Sequence, residues 1–253
     1  MRVFITGASS GIGAALAAHY AGRGAQLGLV ARRAEVLAEV ARTLPGSPAL
    51  YPADVVDAKA MQEAARDFMA RFGAPDIVIA NAGVSVGTLT EHAEDIAVFG
   101  RVLQTNVVGI AATFQPFIVP MREAGRGRLV GISSVAGMRG IPGAGAYSAS
   151  KAAAITYLEA LRVELRSSGV KVVTVCPGYV ATPLTAVNKY RMPFILPADV
   201  AARRIARVID AGRAYAVVPW QMALVARAMK LMPNILYDRL FRRAGRKPRG
   251  LKV

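Results

Sequence analysis

Tyr147-Ser-Ala-Ser-Lys151 sets a phenol and an ammonium four residues apart, and residues so spaced on a helix share one face. A free phenol has a pKa of about 10 and exchanges protons poorly at neutral pH. A cation within a few ångströms favours the phenolate and lowers that pKa, so the pair reads as a tuned acid or base. Alone, the Y-x-x-x-K spacing is a weak signal, because exposed helices collect such pairs by chance. Upstream stand two adjacent hydroxyls, in Gly131-Ile-Ser133-Ser134. A serine there can hydrogen-bond a substrate oxygen as negative charge develops on it, or can simply turn the backbone. From the residues alone, either serine fits either role.

The elements that must position these groups follow from the apolar runs. Arg128–Ile132 reads as a short buried strand, which puts the serines at its C-terminal end, the edge where open α/β sheets bind ligands. At the start, the apolar strand Val3-Phe-Ile5 leads into Thr6-Gly7-Ala-Ser9-Ser10-Gly11-Ile12-Gly13 and then an Ala-rich helix from Ala14 to Tyr20. Strand, glycine turn and helix make a dinucleotide-binding opening. The glycines allow the tight turn and close approach of a cofactor, and the helix N-terminus faces its pyrophosphate. The spacing is G-x-x-x-G-x-G. Further strands are expected at 26–31, 49–52, 76–80, 171–176 and 214–218. Helices are expected at 33–43, 57–72, 95–121, 146–167 and 197–211. Strict alternation predicts an α/β fold over residues 1–218, a single doubly wound Rossmann-type parallel sheet with helices on both faces.

The end of the second strand, Leu29-Val-Ala-Arg32-Arg33, carries the cofactor choice. An acid there would bind the adenosine ribose hydroxyls and repel a 2′-phosphate. This chain has Ala31 at that place, followed by two arginines whose guanidinium groups can grip a phosphate. The pattern favours NADP(H) over NAD(H). The plainer reading is a pair of solvated arginines at a helix start.

Taken together, the TGxxxGxG opening, Ser134, Tyr147 and Lys151 resemble the short-chain dehydrogenase/reductase superfamily, from residue 1 to about residue 218. The motifs arrive in that family's order. The resemblance implies that Tyr147 is the general acid or base, that Lys151 binds the nicotinamide ribose, and that Ser134 rather than Ser133 contacts substrate. It also implies that Asn106 fixes a water-linked proton path to Lys151, although a buried Asn satisfying helix backbone fits the same position. The remaining cofactor contacts implied are Asp54 and Val55 beside the adenine; Asn81, Ala82 and Gly83; and Pro177, Gly178, Val180 and Thr182 over the nicotinamide. Ala80 stands where the family's N-N-A-G element has its first Asn. The activity implied is interconversion of a carbonyl and a secondary alcohol by a homodimer or homotetramer. The mainly apolar stretch from Thr182 to Leu196 points to a hydrophobic small-molecule substrate. The alternative is a non-catalytic or weakly catalytic Rossmann-fold binding protein whose basic tail engages a membrane surface or a partner.

Composition bounds the rest. The chain has 253 residues, 54% hydrophobic, which suits one α/β domain. The first strand begins too early to leave room for a removable leader, and no uninterrupted apolar run approaches the roughly 20 residues of a spanning helix. The expected location is therefore the cytoplasm or the cytoplasmic face of a membrane. The single Cys176 excludes an intrachain disulfide and any cysteine-based metal cluster. No metal site is expected, and His19 and His92 have no partners that suggest one.

The net charge of +16 is the anomaly. Residues 219–253 hold nine basic residues against one acid, Asp238, so half the excess sits in the last 35 residues. This segment replaces the glycine-rich ending of many family members. It reads as a basic amphipathic helical tail of two segments separated by Pro233. In the first, Trp220, Leu224, Val225, Ala228, Met229, Leu231 and Met232 share one face, with Arg227 and Lys230 opposite. In the second, Leu236, Tyr237, Leu240 and Phe241 oppose Asp238, Arg239, Arg242 and Arg243. Such a tail can pack on the body or a partner subunit, or lie on an anionic membrane. Nucleic acid is the weakest reading, since basic charge alone gives only non-specific phosphate binding.

Overall fold

Three consecutive side chains of the first strand, Val3, Phe4 and Ile5, have no exposed surface, because helices cover both faces of the sheet they sit in. The computed structural model describes residues 1–242 and 244–250. Its strands are β1 (Arg2–Thr6), β2 (Gln26–Ala31), β3 (Ala49–Pro52), β4 (Ile77–Ala80), β5 (Gly127–Ile132), β6 (Val170–Pro177), β7 (Val180–Ala181), β8 (Leu196–Pro197) and β9 (Tyr215–Val218). Seven of them form one parallel sheet in the order β3-β2-β1-β4-β5-β6-β9. The order reverses between β1 and β4, and a crevice opens outside their C-terminal ends at such a point.

The helices are α1 (Gly11–Ala21), α2 (Ala34–Arg42), α3 (Ala58–Phe72), α4 (Glu94–Leu103), α5 (Gly109–Glu123), α6 (Gly145–Glu164), α7 (Pro183–Ala186), α8 (Ala198–Asp210), α9 (Trp220–Leu231) and α10 (Asn234–Phe241). One face of the sheet gives Val3, Ile5, Leu29 and Ile79 to a core with Leu16 and Tyr20 of α1 and Ile205 and Ile209 of α8. The other gives Phe4, Val78 and Leu129 to a core with Phe68 of α3, Phe114 and Phe117 of α5 and Leu158 of α6. Gly131 matters for placement. A Cβ there would lie 2.4 Å from a Leu158 methyl, so its absence lets α6 approach β5 closely.

The expected helix over 95–121 is divided. A π-helical turn, Gln104–Val108, joins α4 to α5, and buried Asn106 lies within it. The run Glu94–Glu123 is long and apolar enough by composition to cross a membrane, with a mean hydropathy of 1.4. Its Phe114, Phe117 and Met121, however, are core side chains of the second layer. The short parallel pair β7 and β8 was not anticipated. It brackets the segment that holds α7.

The tail departs from the expected faces. Met222 and Ala226 are the buried residues of α9, whereas Trp220, Leu224, Ala228 and Leu231 point to solvent beside Arg227. In α10, Tyr237 is buried and stacks on Phe241 at 4.2 Å, while Ile235, Leu236 and Leu240 are exposed. The physical reason is shape: the helices dock through the side that fits the loops beneath. A Cβ on Gly178 would meet Met222 at 2.6 Å, and the Tyr237 hydroxyl donates to the Gly140 carbonyl at 2.5 Å. Arg139 lies 3.9 Å from the Tyr237 ring centroid and donates to the carbonyls of Met229 and Met232 at the helix junction.

Two tail cations also fold back onto the body. Lys247 is buried, its Nζ donating to Ser85 Oγ at 3.0 Å and to the Leu184 carbonyl at 2.9 Å. Arg249 pairs with Asp95 at 2.7 Å and Glu94 at 2.9 Å. Arg243 and Lys252 lie outside the described residues.

Candidate active site

Parallel strands deliver their C-terminal ends to one edge, so side chains just past those ends meet. Thr6 ends β1, and its Oγ1 accepts from the backbone N–H groups of Asn81 and Ala82 at 3.2 and 3.3 Å, which ties β1 to the loop after β4. The Asn81 amide returns two bonds, to the carbonyls of Thr6 and Gly7 at 3.1 and 3.2 Å. Gly7 has φ +66°, and a Cβ on Gly13 would sit 2.2 Å from the Gly7 carbonyl oxygen. The turn therefore closes only with glycine at both places.

A cleft of about 480 Å³ runs along this edge. Its walls include Gly7, Ser9, Ser10, Gly11 and Ile12 of the turn; Arg32 and Arg33 after β2; Asp54 and Val55 after β3; and Asn81, Ala82 and Gly83 after β4. Beyond them come Ser134, Tyr147, Lys151, Pro177, Gly178, Val180 and Thr182. Gly13 and Asn106 stand behind the lining, Gly13 supporting the turn and Asn106 fully buried. Sequence reasoning missed Val30, Val84 and Thr105, which also face the cleft, as does Ser133, the hydroxyl weighed beside Ser134. Nothing in the local sequence marks the other three.

The two serines separate clearly. Ser133 Oγ donates to the Lys151 carbonyl at 2.8 Å, joining β5 to α6. Ser134 Oγ accepts the Ala136 N–H at 3.1 Å and lies beside the Tyr147 phenol. Burial holds the phenol above its ordinary pKa, and the Ser134 hydroxyl acts in the opposite direction. Lys151 is 4% exposed, and burial lowers its pKa to about 8. Its Nζ donates to the Ile132 carbonyl at 2.9 Å and lies 5.8 Å from the Tyr147 ring centroid. The ammonium is thus held by the strand end. Burial, not this cation, dominates the phenol's titration.

Asn106 is a bracket. Its Oδ1 accepts the Val84 N–H at 2.8 Å, and its Nδ2 donates to the Val84 carbonyl and to Ser150 Oγ, both at 2.9 Å. Ser150 Oγ in turn donates to the Tyr147 carbonyl at 2.7 Å. One amide therefore couples the π turn, the loop after β4 and the first turns of α6. A Cβ on Gly83 would come 3.2 Å from Asn106 Oδ1 and 3.5 Å from Lys151 Nζ, so the bare glycine lets both groups crowd this point.

At the adenosine end, Arg32 Nη1 is 3.8 Å from Asp54 Oδ2, an exposed pair of little energetic weight. Arg33 occupies the N-cap of α2 without a capping bond. Cys176 is buried, and burial pushes its thiol up, as an inert packing residue requires.

The chain's similarities run in the same direction. A family model described as short chain dehydrogenase matches residues 1–192. A protein of Myxococcus xanthus (strain DK1622), described only as an uncharacterized oxidoreductase, is 40% identical over 242 residues, which is 94% of this chain and 95% of that protein. The 11-beta-hydroxysteroid dehydrogenase-like 2 protein of Arabidopsis thaliana is 34% identical over 243 residues, 92% of this chain and 78% of its own. The alcohol dehydrogenase of Thermococcus sibiricus, solved with 5-hydroxy-NADP, superimposes with a TM-score of 0.75 at 26% identity, covering 86% of this chain and 95% of that one.

Proposed function

Because the chain belongs to the short-chain dehydrogenase family, we propose that its cleft carries out NADP(H)-dependent interconversion of a carbonyl and a secondary alcohol on a hydrophobic small molecule. The observation that carries this reading is the convergence of Ser134, Tyr147 and Lys151 on one wall of the cleft. The residues present fit a dinucleotide: a turn whose Gly7 and Gly11 bring bare backbone to the cleft, the α1 N-terminus, and a groove that reaches the Tyr147 end. Arg32 and Arg33, with Ala31 in place of an acid, support a 2′-phosphate at its far end.

When bound, the nicotinamide supplies or accepts the hydride. Tyr147 donates a proton to the carbonyl oxygen in reduction and removes it in oxidation. The raised phenol pKa keeps Tyr147 protonated at neutral pH, which suits the donor role. Ser134 stabilises negative charge on the same oxygen. Lys151, anchored by Ile132, orients the ribose and holds positive charge near the proton path. Asn106 and Ser150 keep Tyr147 and the loop after β4 in register.

An apolar substrate is supported by Val84 and Leu184 on the cleft wall and by exposed Val187, Phe194 and Ile195 in the segment between β7 and β8. The relative from Arabidopsis is named for a hydroxysteroid. The test is NADPH consumption across a panel of steroid-like, lipid-derived and aromatic ketones, run beside Tyr147→Phe. Turnover that this substitution removes supports the reading. Equal rates from both proteins overturn it.

A further inference from the structure

The two tail helices dock through their smaller side and leave the larger apolar side in solvent. Trp220, at 66% exposure, shares a solvent-facing arc of about 40° with Leu224 and Leu231 at 3.6 residues per turn. On α10, Ile235 is 87% exposed and is joined by Leu236 and Leu240. Large apolar residues exposed on two helices consecutive in the chain mark an interaction surface. Interspersed with them are the exposed cations Arg227, Lys230, Arg239 and Arg242, and from residue 219 onward Asp238 is the single acid.

We propose that this outer face of α9 and α10 is a docking surface for an anionic lipid bilayer. The apolar set enters the headgroup boundary, and the four cations meet lipid phosphates. Charge decides between occupants. A second copy applying the same face would set these cations against their own equivalents, whereas an anionic surface complements them. The anchoring is specific, because Arg139 and Gly140, which hold Tyr237 and the helix junction, belong to the loop between Ser134 and Tyr147. Docking therefore places the Ser134 side of the cleft next to the lipid.

Trp220 is the only tryptophan of the chain, so it reports its own environment. The full chain is mixed with vesicles of equimolar phosphatidylglycerol and phosphatidylcholine, or of phosphatidylcholine alone, and followed by co-sedimentation and tryptophan emission. The expected result is sedimentation with the anionic vesicles, a blue shift of emission, and at least tenfold weaker binding to the neutral ones. The combined Leu224→Ser, Leu231→Ser and Ile235→Ser variant should lose binding more than tenfold with an unchanged thermal melt, since all three side chains are exposed. The combined Arg227→Gln, Lys230→Gln and Arg239→Gln variant should lose the preference for anionic lipid. Emission that does not move on anionic vesicles, or binding that survives the apolar variant, overturns the proposal. So does a dimer that the serine variant abolishes in the absence of vesicle binding, which would give the face to a second copy.

Discussion

The ammonium of Lys151 donates to the carbonyl of Ile132 at 2.9 Å, so the last residue of β5 holds a buried cation beside the Tyr147 ring. Its burial has a thermodynamic consequence, because no carboxylate among the described residues offsets it, and the pKa falls from 10.5 to about 8. Burial shifts the balance towards the neutral amine relative to the unfolded chain, although at neutral pH the ammonium still predominates. Below about pH 8 the fold carries the full cost of the buried cation, and that cost is relieved as pH rises from about 8 to about 10.5.

Lys151→Met removes the cost at every pH. The stability difference between the variant and the natural protein should therefore change by up to about 3 kcal/mol between pH 7 and pH 10.5, in the direction that favours the natural protein at high pH. Urea melts of both proteins at the two pH values measure it. A difference that is the same at both would show that the lysine is not desolvated.

Tyr147→Phe keeps the ring and removes the proton. Turnover should fall by about 10²–10⁴-fold while NADPH affinity stays within a few-fold, as measured by steady-state kinetics and fluorescence titration.

Replacing Arg32 and Arg33 with Gln should erase a preference for NADPH over NADH of at least about tenfold, roughly 1.4 kcal/mol. Equal affinities in the unsubstituted protein would refute the reading of the β2 end, whatever the activity.

Asn106→Leu leaves the half-buried Val84 N–H and carbonyl without their side-chain partners. A loss of about 1–3 kcal/mol per orphaned group is expected, and Asn106→Asp should recover only the N–H contact. Chemical denaturation of the three proteins orders them as Asn, then Asp, then Leu.

Lys247 links Ser85 to Leu184, a wall residue of the cleft. Lys247→Met should raise KM several-fold with little change in kcat, because it frees the wall and leaves the Ser134, Tyr147 and Lys151 group in place. A pure kcat defect would contradict this placement.

How much of this was legible beforehand depends on the range of the interactions involved. The sheet strands and their helices follow from local signals: apolar runs such as Val3-Phe-Ile5, which both faces of a sheet demand, and turn residues between them. The glycine turn, the two arginines and the Tyr147–Lys151 pair were readable for the same reason, because each is a short spacing whose chemistry needs only neighbours along the chain. The π turn at Gln104–Val108 was not, since nothing in Gln-Thr-Asn-Val-Val marks it, and its Asn106 side chain answers to Val84, 22 residues away. The division of labour between Ser133 and Ser134 also needed α6 in place, with the Lys151 carbonyl as acceptor.

The tail shows the limit most plainly. Its sequence determined that two amphipathic, basic helices form around Pro233. Each has apolar residues around more than half its circumference, so periodicity could not say which side docks. Gly178, Gly140 and Arg139 decided that, by shaping loops that accept Met222 and Tyr237 and turn Trp220, Leu224 and Ile235 outward. Local sequence sets periodicity, but the choice between two apolar sides rests on contacts about 40 to 100 residues away along the chain, which exist only once the sheet has brought those loops together.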